Sequence, residues 1–192
     1  NDKSWIHSNA DVELRAGDLF DAVGSERFDF VMSQPPYVPM PCQPSRTSPS
    51  SDLLGVRATT YLHGGPRGDE ILMRLLHQLP SHLARFGRAQ LVFDQPVSAD
   101  SVDAPSHGHP PGWPFEWPFE SKMRTLLLLG AAVDSDSYCL RQAAASLPLG
   151  MSAFESSVAT WRRHLQMFRI EAVCPAIAVI EPAQSGASWH EV

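Results

Sequence analysis

Cysteine is scarce: the chain has three, Cys42, Cys139 and Cys174, far apart and odd in number. No C-x-x-C pair occurs, which argues against a zinc knuckle and against a disulfide framework. Reduced thiols in a cytoplasmic protein are the simplest reading. No run of about eighteen apolar residues exists, so no membrane span is expected, and no signal peptide is visible. A basic stripe is missing as well. The formal net charge is -6 at pH 7, which weighs against a dedicated nucleic-acid binder. The one tight basic cluster, W-R-R-H at Trp161 to His164, reads as the solvated face of a helix. No G-K-[ST] follows Gly64 and Gly65, so these glycines serve backbone turns rather than phosphates. The serines lack a G-x-S-x-G setting, which argues against a hydrolase. His107 and His109 have no carboxylate or thiolate partners in pattern, and no metal is expected.

What is present suits one globular domain. The 192 residues, 43% hydrophobic and 19% charged, are enough for a real core. A single domain over residues 1–182 with a loose tail at 183–192 is expected. Asp11 to Phe20 alternates apolar Val12 and Leu14 with Glu13 and Arg15, predicting a short strand that runs into a Gly-Asp turn. Arg27 to Ser33 predicts a second strand, apolar on both faces after Asp29, as in the centre of a covered parallel sheet. Pro39 to Ser51, rich in proline and serine, is a loop. Asp69 to Phe86 carries Ile71, Leu72, Leu75, Leu76, Leu79 and Leu83 at spacings of three and four, predicting an amphipathic helix with Gly87 as its C-terminal cap. Ala89 to Phe93 is a short apolar strand. Strand, loop, helix and strand in that order are the signature of a parallel βαβ unit. Ser98 to Phe119 is irregular, with Trp113 and Trp117 among prolines, either a loop packed on the surface or a lid. Lys122 to Ala132 reads as a helix and Tyr138 to Ala144 as a strand. Met151 to Phe168 is a helix with Phe154, Val158, Trp161 and Leu165 on one stripe. Ala172 to Ile180 is a last apolar strand, placed by Pro175 at an edge or on a bulge.

The stretch V-M-S-Q-P-P-Y-V-P-M, Val31 to Met40, raises a question of chemistry. Pro35 and Pro36 cannot donate to a ladder, so they end the strand. A stiff loop follows at the strand's carboxyl end, where ligands bind in open α/β sheets. A planar amide or amine nitrogen is a poor nucleophile because its lone pair is delocalised. An enzyme that alkylates it must hold the NH2 by acceptors at fixed geometry. Gln34 supplies a carboxamide oxygen, Pro35 a carbonyl, and Tyr37 a ring that can stack on a planar group.

F-D-F-V-M-S-Q-P-P-Y-V-P resembles the F-D-x-I-V-S-N-P-P-Y-I-P motif of class I S-adenosylmethionine-dependent N-methyltransferases. The likeness is greatest to the protein-glutamine N5-methyltransferases of the HemK/PrmC type. Upstream, V-E-L-R-A-G-D-L-F-D-A-V resembles that family's V-x-F-x-x-G-D-L-F-x-x-L. Downstream, H-G-G-P-R-G-D-E-I-L-M-R-L-L resembles its G-G-x-D-G-L-D-x-x-R-x-L-L. Three motifs in order cover roughly residues 10 to 93. The resemblance implies an α/β Rossmann-like class I methyltransferase fold, a mostly parallel sheet with helices on both faces. It implies S-adenosylmethionine as donor, with Asp18 near the adenine amino group and Leu19 beside the ring. Gln34, Pro35, Pro36 and Tyr37 would form the acceptor site, Gln34 also facing the donor. The substrate would be a protein or small molecule.

Two departures stand out. Glutamine at position 34 replaces the family's asparagine and carries its carboxamide one methylene further. The family's glycine-rich strand-to-helix turn is absent, since no G-x-G occurs anywhere. The acidic residue that would hold the ribose hydroxyls is not found either. Both belong upstream of Asn1, so the first βα units are expected to be missing from an N-terminally truncated chain. Two other functions remain open at this point: adenine N6-methylation of nucleic acid, which shares the P-P-Y loop but suits the acidic charge poorly, and a non-catalytic interaction domain that kept the fold.

Overall fold

Leu72, Leu75, Leu76 and Leu79 fall on one buried face of helix α1, Glu70–His82, in the computed structural model. Residues 12–41, 62–98 and 123–183 are described. Each of these leucines contributes about 1.5–3 kcal/mol by leaving water. The helix is shorter than its apolar spacing predicts. Pro80 removes an N–H from its last turn, and Leu83 is already extended, at φ -86° and ψ 136°. The chain passes straight into strand β2, Leu83–Ser98. Gly87 is therefore no cap. It lies in β2, where a Cβ would meet the Phe28 carbonyl oxygen at 2.5 Å.

Strand β1, Phe28–Ser33, pairs parallel with β2, and α1 is the crossover between them. The expected βαβ unit is present. The rest of the sheet departs from the expectation. Strand β3, Met123–Leu129, β4, Val133–Asp134, and β5, Ile170–Pro182, complete it. The order is β1-β2-β5-β3, with β4 also on β5, and β5 runs antiparallel to each of its three neighbours. The sheet is mixed, not mostly parallel. A parallel pair needs a long crossover, which α1 supplies between β1 and β2; the helical connection from β4 to β5 joins an antiparallel pair instead.

Several elements differ in kind from the sequence reading. The run M-R-T-L-L-L-L is strand β3 instead of a helix, because it pairs along its whole length with β5. Tyr138 to Ala144 is helical instead of extended. Helix α2, Ser135–Ala143, starts at Asp134, whose side chain accepts from the Ser137 amide at 2.9 Å. Residues 12–16 form no strand, and Val12 and Leu14 lie exposed. Arg15 pairs instead with Glu13 at 2.7 Å. Among the described residues strand β1 is an edge strand, not a central one, with Phe30 and Met32 exposed. Pro175 does not put β5 at the sheet's edge, since β5 is central. It sits where the outer neighbour is interrupted, between β3 and β4. The Gly130 amide donates to the Pro175 carbonyl there at 2.7 Å. In an antiparallel ladder a residue's N–H and C=O point to the same side, so the missing N–H faces that break.

Helix α3, Met151–Met167, buries Trp161 and Leu165 with Phe154 and Val158 beside them, as its stripe predicts. These pack with Tyr138, Cys139 and Ala143 of α2 against Ile170 and Val173 of β5. A separate cluster joins α1 to Ala89, Leu91 and Phe93 of β2 and Ala176, Ala178 and Ile180 of β5. Cys139 and Cys174 are free thiols, both buried. Residues 42–51, 99–119 and 184–192 of the expected loops and tail lie outside the described residues, with Cys42, Lys122, His107, His109, Trp113 and Trp117. Among the described residues no helix is long and apolar enough to cross a membrane.

Candidate functional site

Strand β1 stops at Ser33, and the segment Gln34 to Met40 turns onto the glycine-rich loop that precedes α1. Three backbone hydrogen bonds zip the two together. The Val38 amide donates to the Leu62 carbonyl at 2.8 Å, Gly64 to Val38 at 3.0 Å, and Met40 to Gly65 at 2.9 Å. The approach is too close for side chains. A Cβ on Gly64 would lie 2.2 Å from the Gly68 carbonyl oxygen and 2.5 Å from that of Pro36, and one on Gly68 would lie 2.4 Å from that of Tyr37. Gly68 also holds φ +89°, which favours glycine. The first and third motifs of the resemblance are thus one structural unit, with the second attached through α1.

The side chains divide into two groups. Pro35 is buried, Pro36 and Tyr37 are half-buried, and Gln34 is exposed. The Gln34 amide nitrogen donates to the Tyr37 hydroxyl at 3.4 Å, and its Oε1 has no partner among the described residues. Tyr37 packs partly on the α1 cluster and lines a cleft of about 350 Å³ with Val92, Asp94, Leu128, Pro175 and Ile177. Leu19 packs against the same cluster as Tyr37, but no hydrogen bond among the described residues links Asp18 and Leu19 to the Gln34–Tyr37 group. Asp18 precedes a short 3-10 turn, Leu19–Val23, and accepts from Arg74 of α1 at 2.5 Å. Leu19 is half-buried at φ 51°. The turn is held further by Phe20, buried and stacked on His82 at 4.3 Å.

The implied donor can be weighed against these residues. Asp18 keeps its Oδ1 free of any partner among the described residues, beside Leu19, and the pair fits an adenine edge. The given sequence holds no G-x-G strand-to-helix turn for the rest of such a molecule. The fit is confined to the adenine end.

Two features escaped the sequence reading. Asp94 directly follows the apolar run Ala89 to Phe93, which is a visible signal, and lies inside β2, which continues to Ser98. Burial pushes its carboxyl up, with Arg141 opposing. His164 is the second. The W-R-R-H cluster is only half solvated: the two arginines are exposed, while Trp161 and His164 are buried. The His164 ring nitrogen Nε2 lies 2.6 Å from the Pro66 carbonyl oxygen, tying α3 to the glycine loop. The expected result for His164→Leu is a loss of about 1–3 kcal/mol, because the carbonyl loses its donor. Urea denaturation reads the loss, and faster amide exchange at Gly64 and Gly68 places it at the loop.

Compared with known proteins, the chain matches no family model, and no curated protein matches it either.

Proposed function

We propose that the chain transfers a methyl group to an amide or amine nitrogen of a protein or small molecule. The observation that carries this reading is the S-Q-P-P-Y segment at the carboxyl end of a parallel strand pair, with the Gln34 Oε1 unengaged among the described residues and the neighbouring Tyr37 lining a cleft. Ligands in open α/β sheets meet the strands at that end. Gln34 Oε1 and the Pro35 carbonyl are two acceptors for an NH2 group, and the Gln34 amide nitrogen, by donating to the Tyr37 hydroxyl at 3.4 Å, leaves its oxygen for such a group. Tyr37 offers its ring as a wall for a planar substrate. The donor, S-adenosylmethionine, supplies an electrophilic methyl group when bound, with Asp18 and Leu19 at its adenine end.

The test is calorimetric binding of S-adenosylmethionine to this chain and, in parallel, to the product of the whole gene. Binding by either supports the reading. Binding by neither overturns it. Where transfer is measured, Gln34→Asn keeps the carboxamide and is expected to stay within about tenfold, whereas Gln34→Ala loses the acceptor and falls by roughly 100-fold.

A second reading is the non-catalytic interaction domain. One sheet face favours it. Phe30 and Met32 of β1 share that face with Leu126 and Leu128 of β3, and all are at least 40% exposed. Arg88 and Gln90 of β2 lie between the two pairs on that face, and exposed apolar groups rimmed by polar ones are a feature of interaction sites. Failure of donor binding would leave this reading standing.

A further inference from the structure

Asp94 faces the cleft among apolar walls. Its register partner on β5 is Pro175, an apolar ring that brings no side-chain donor to the carboxylate. Among the described residues no hydrogen bond or ion pair reaches the Asp94 carboxylate. Arg141 is the cation whose field acts on it, yet it is exposed and lies over the Tyr138 ring, 5.3 Å from the centroid. Tyr138 is buried, and burial together with the Asp94 charge holds its phenol well above the usual range. A half-buried carboxylate against apolar walls costs free energy until a donor meets it, and a charged donor offsets more of that cost than a neutral one.

Gln34 and Pro35 offer neutral acceptors next to Tyr37, whereas Asp94, in the cleft that Tyr37 lines, carries full charge. A third acceptor that carries full charge is surplus for an amide and suited to a cation. We propose that the cleft selects a basic nitrogen, an ammonium or guanidinium group, with Asp94 as its counter-ion and the Tyr37 ring packed against it. The inference rests on the reading of Gln34 to Tyr37 as an acceptor site, and it names the substrate class of that site as a basic group instead of a neutral amide.

The experiment is a titration of the ¹⁵N-labelled chain at pH 7 with butylammonium, butylguanidinium and butyramide, three probes of matched chain length. The backbone amides of Tyr37, Asp94 and Ile177 report on the cleft. At least one cation is expected to saturate these shifts about tenfold more tightly than butyramide, and the comparison of the two cations identifies the preferred head group. Asp94→Asn is expected to erase the preference. Arg141→Gln is expected to tighten cation binding, because it removes the competing charge.

Asp94→Asn also has a stability readout. A carboxyl held above its usual value costs nothing below its unfolded pKa. Its cost grows as pH rises towards the folded value and is complete above it. The variant should therefore melt higher than the natural chain at pH 7, with the gap closing towards about pH 4. That result shows a folded protein in which only the charge is gone. Equal binding of butyramide and the cations, a preference that survives Asp94→Asn, or no saturable shift with any probe overturns the inference. No donor is used. A chain that discriminates the cations but fails to bind S-adenosylmethionine keeps its cation cleft and loses the methyltransferase reading. A chain that binds the donor without discriminating loses only the inference.

Discussion

Gly64→Ala is expected to dismantle the candidate site. The added methyl would lie 2.2 Å from one backbone carbonyl oxygen, that of Gly68, and 2.5 Å from another, that of Pro36. Neither can rotate aside as a side chain would. One of the two segments must shift, and the three hydrogen bonds between 38–40 and 62–65 break with it. Overpacking of this kind costs about 1–3 kcal/mol. If the segment is the proposed acceptor site, the functional loss exceeds the stability loss, because Gln34 and Tyr37 ride on it. A displacement of about 1 Å is enough to lower a transfer rate by roughly 100-fold. The comparison is Gly24→Ala. Gly24 has φ +59° but nothing within 4 Å of a built Cβ. Its replacement costs about 1–2 kcal/mol of backbone strain and leaves the cleft alone. Urea denaturation of both variants, with the Tyr37 and Asp94 amide shifts as a local probe, separates the two. Unchanged shifts in Gly64→Ala would show that the two loops are not rigidly coupled.

Leu76→Ala is expected to have the largest effect on stability. Leu76 is 0% exposed in the cluster that joins α1 to the centre of the sheet. Truncation there loses the transfer energy of the removed carbons and leaves a cavity, together about 2–5 kcal/mol. The melting temperature of a chain this size should fall on the order of 10 °C. Leu149→Ala is the counterpart: that leucine is 79% exposed, and its loss should change stability by less than about 0.5 kcal/mol. Similar melting of the two variants would place the core elsewhere.

Some of this architecture was legible in the residues. The leucines of α1 and the stripe of α3 repeat at helical spacing, and a helix with one apolar face has one way to bury it. Pro35 and Pro36 ended β1 where the backbone loses its donors. Gly64 and Gly65 marked a turn. The misreadings share a cause. T-L-L-L-L has no period, and leucine forms helices readily. Only the ladder to β5 makes it a strand. Tyr138 to Ala144 is short and apolar enough to suit either form, and the deciding cap at Asp134 lies outside the stretch. Asp94 was visible as a residue, but its isolation was not, since the groups around it come from β3, β5 and α2.

The sequence by itself determined the local punctuation: where α1 and α3 run, where β1 stops, and which residues could form an acceptor group. Those features depend on neighbours a few residues away, through periodicity and backbone chemistry. The tertiary structure alone decided the direction of β5, the place of β1 at the end of the described sheet, the union of the Q-P-P-Y segment with the glycine loop, and the lack of a partner for Asp94 among the described residues. Each of these is a relation between segments far apart in the chain, set by which strand edges meet and which faces find cover.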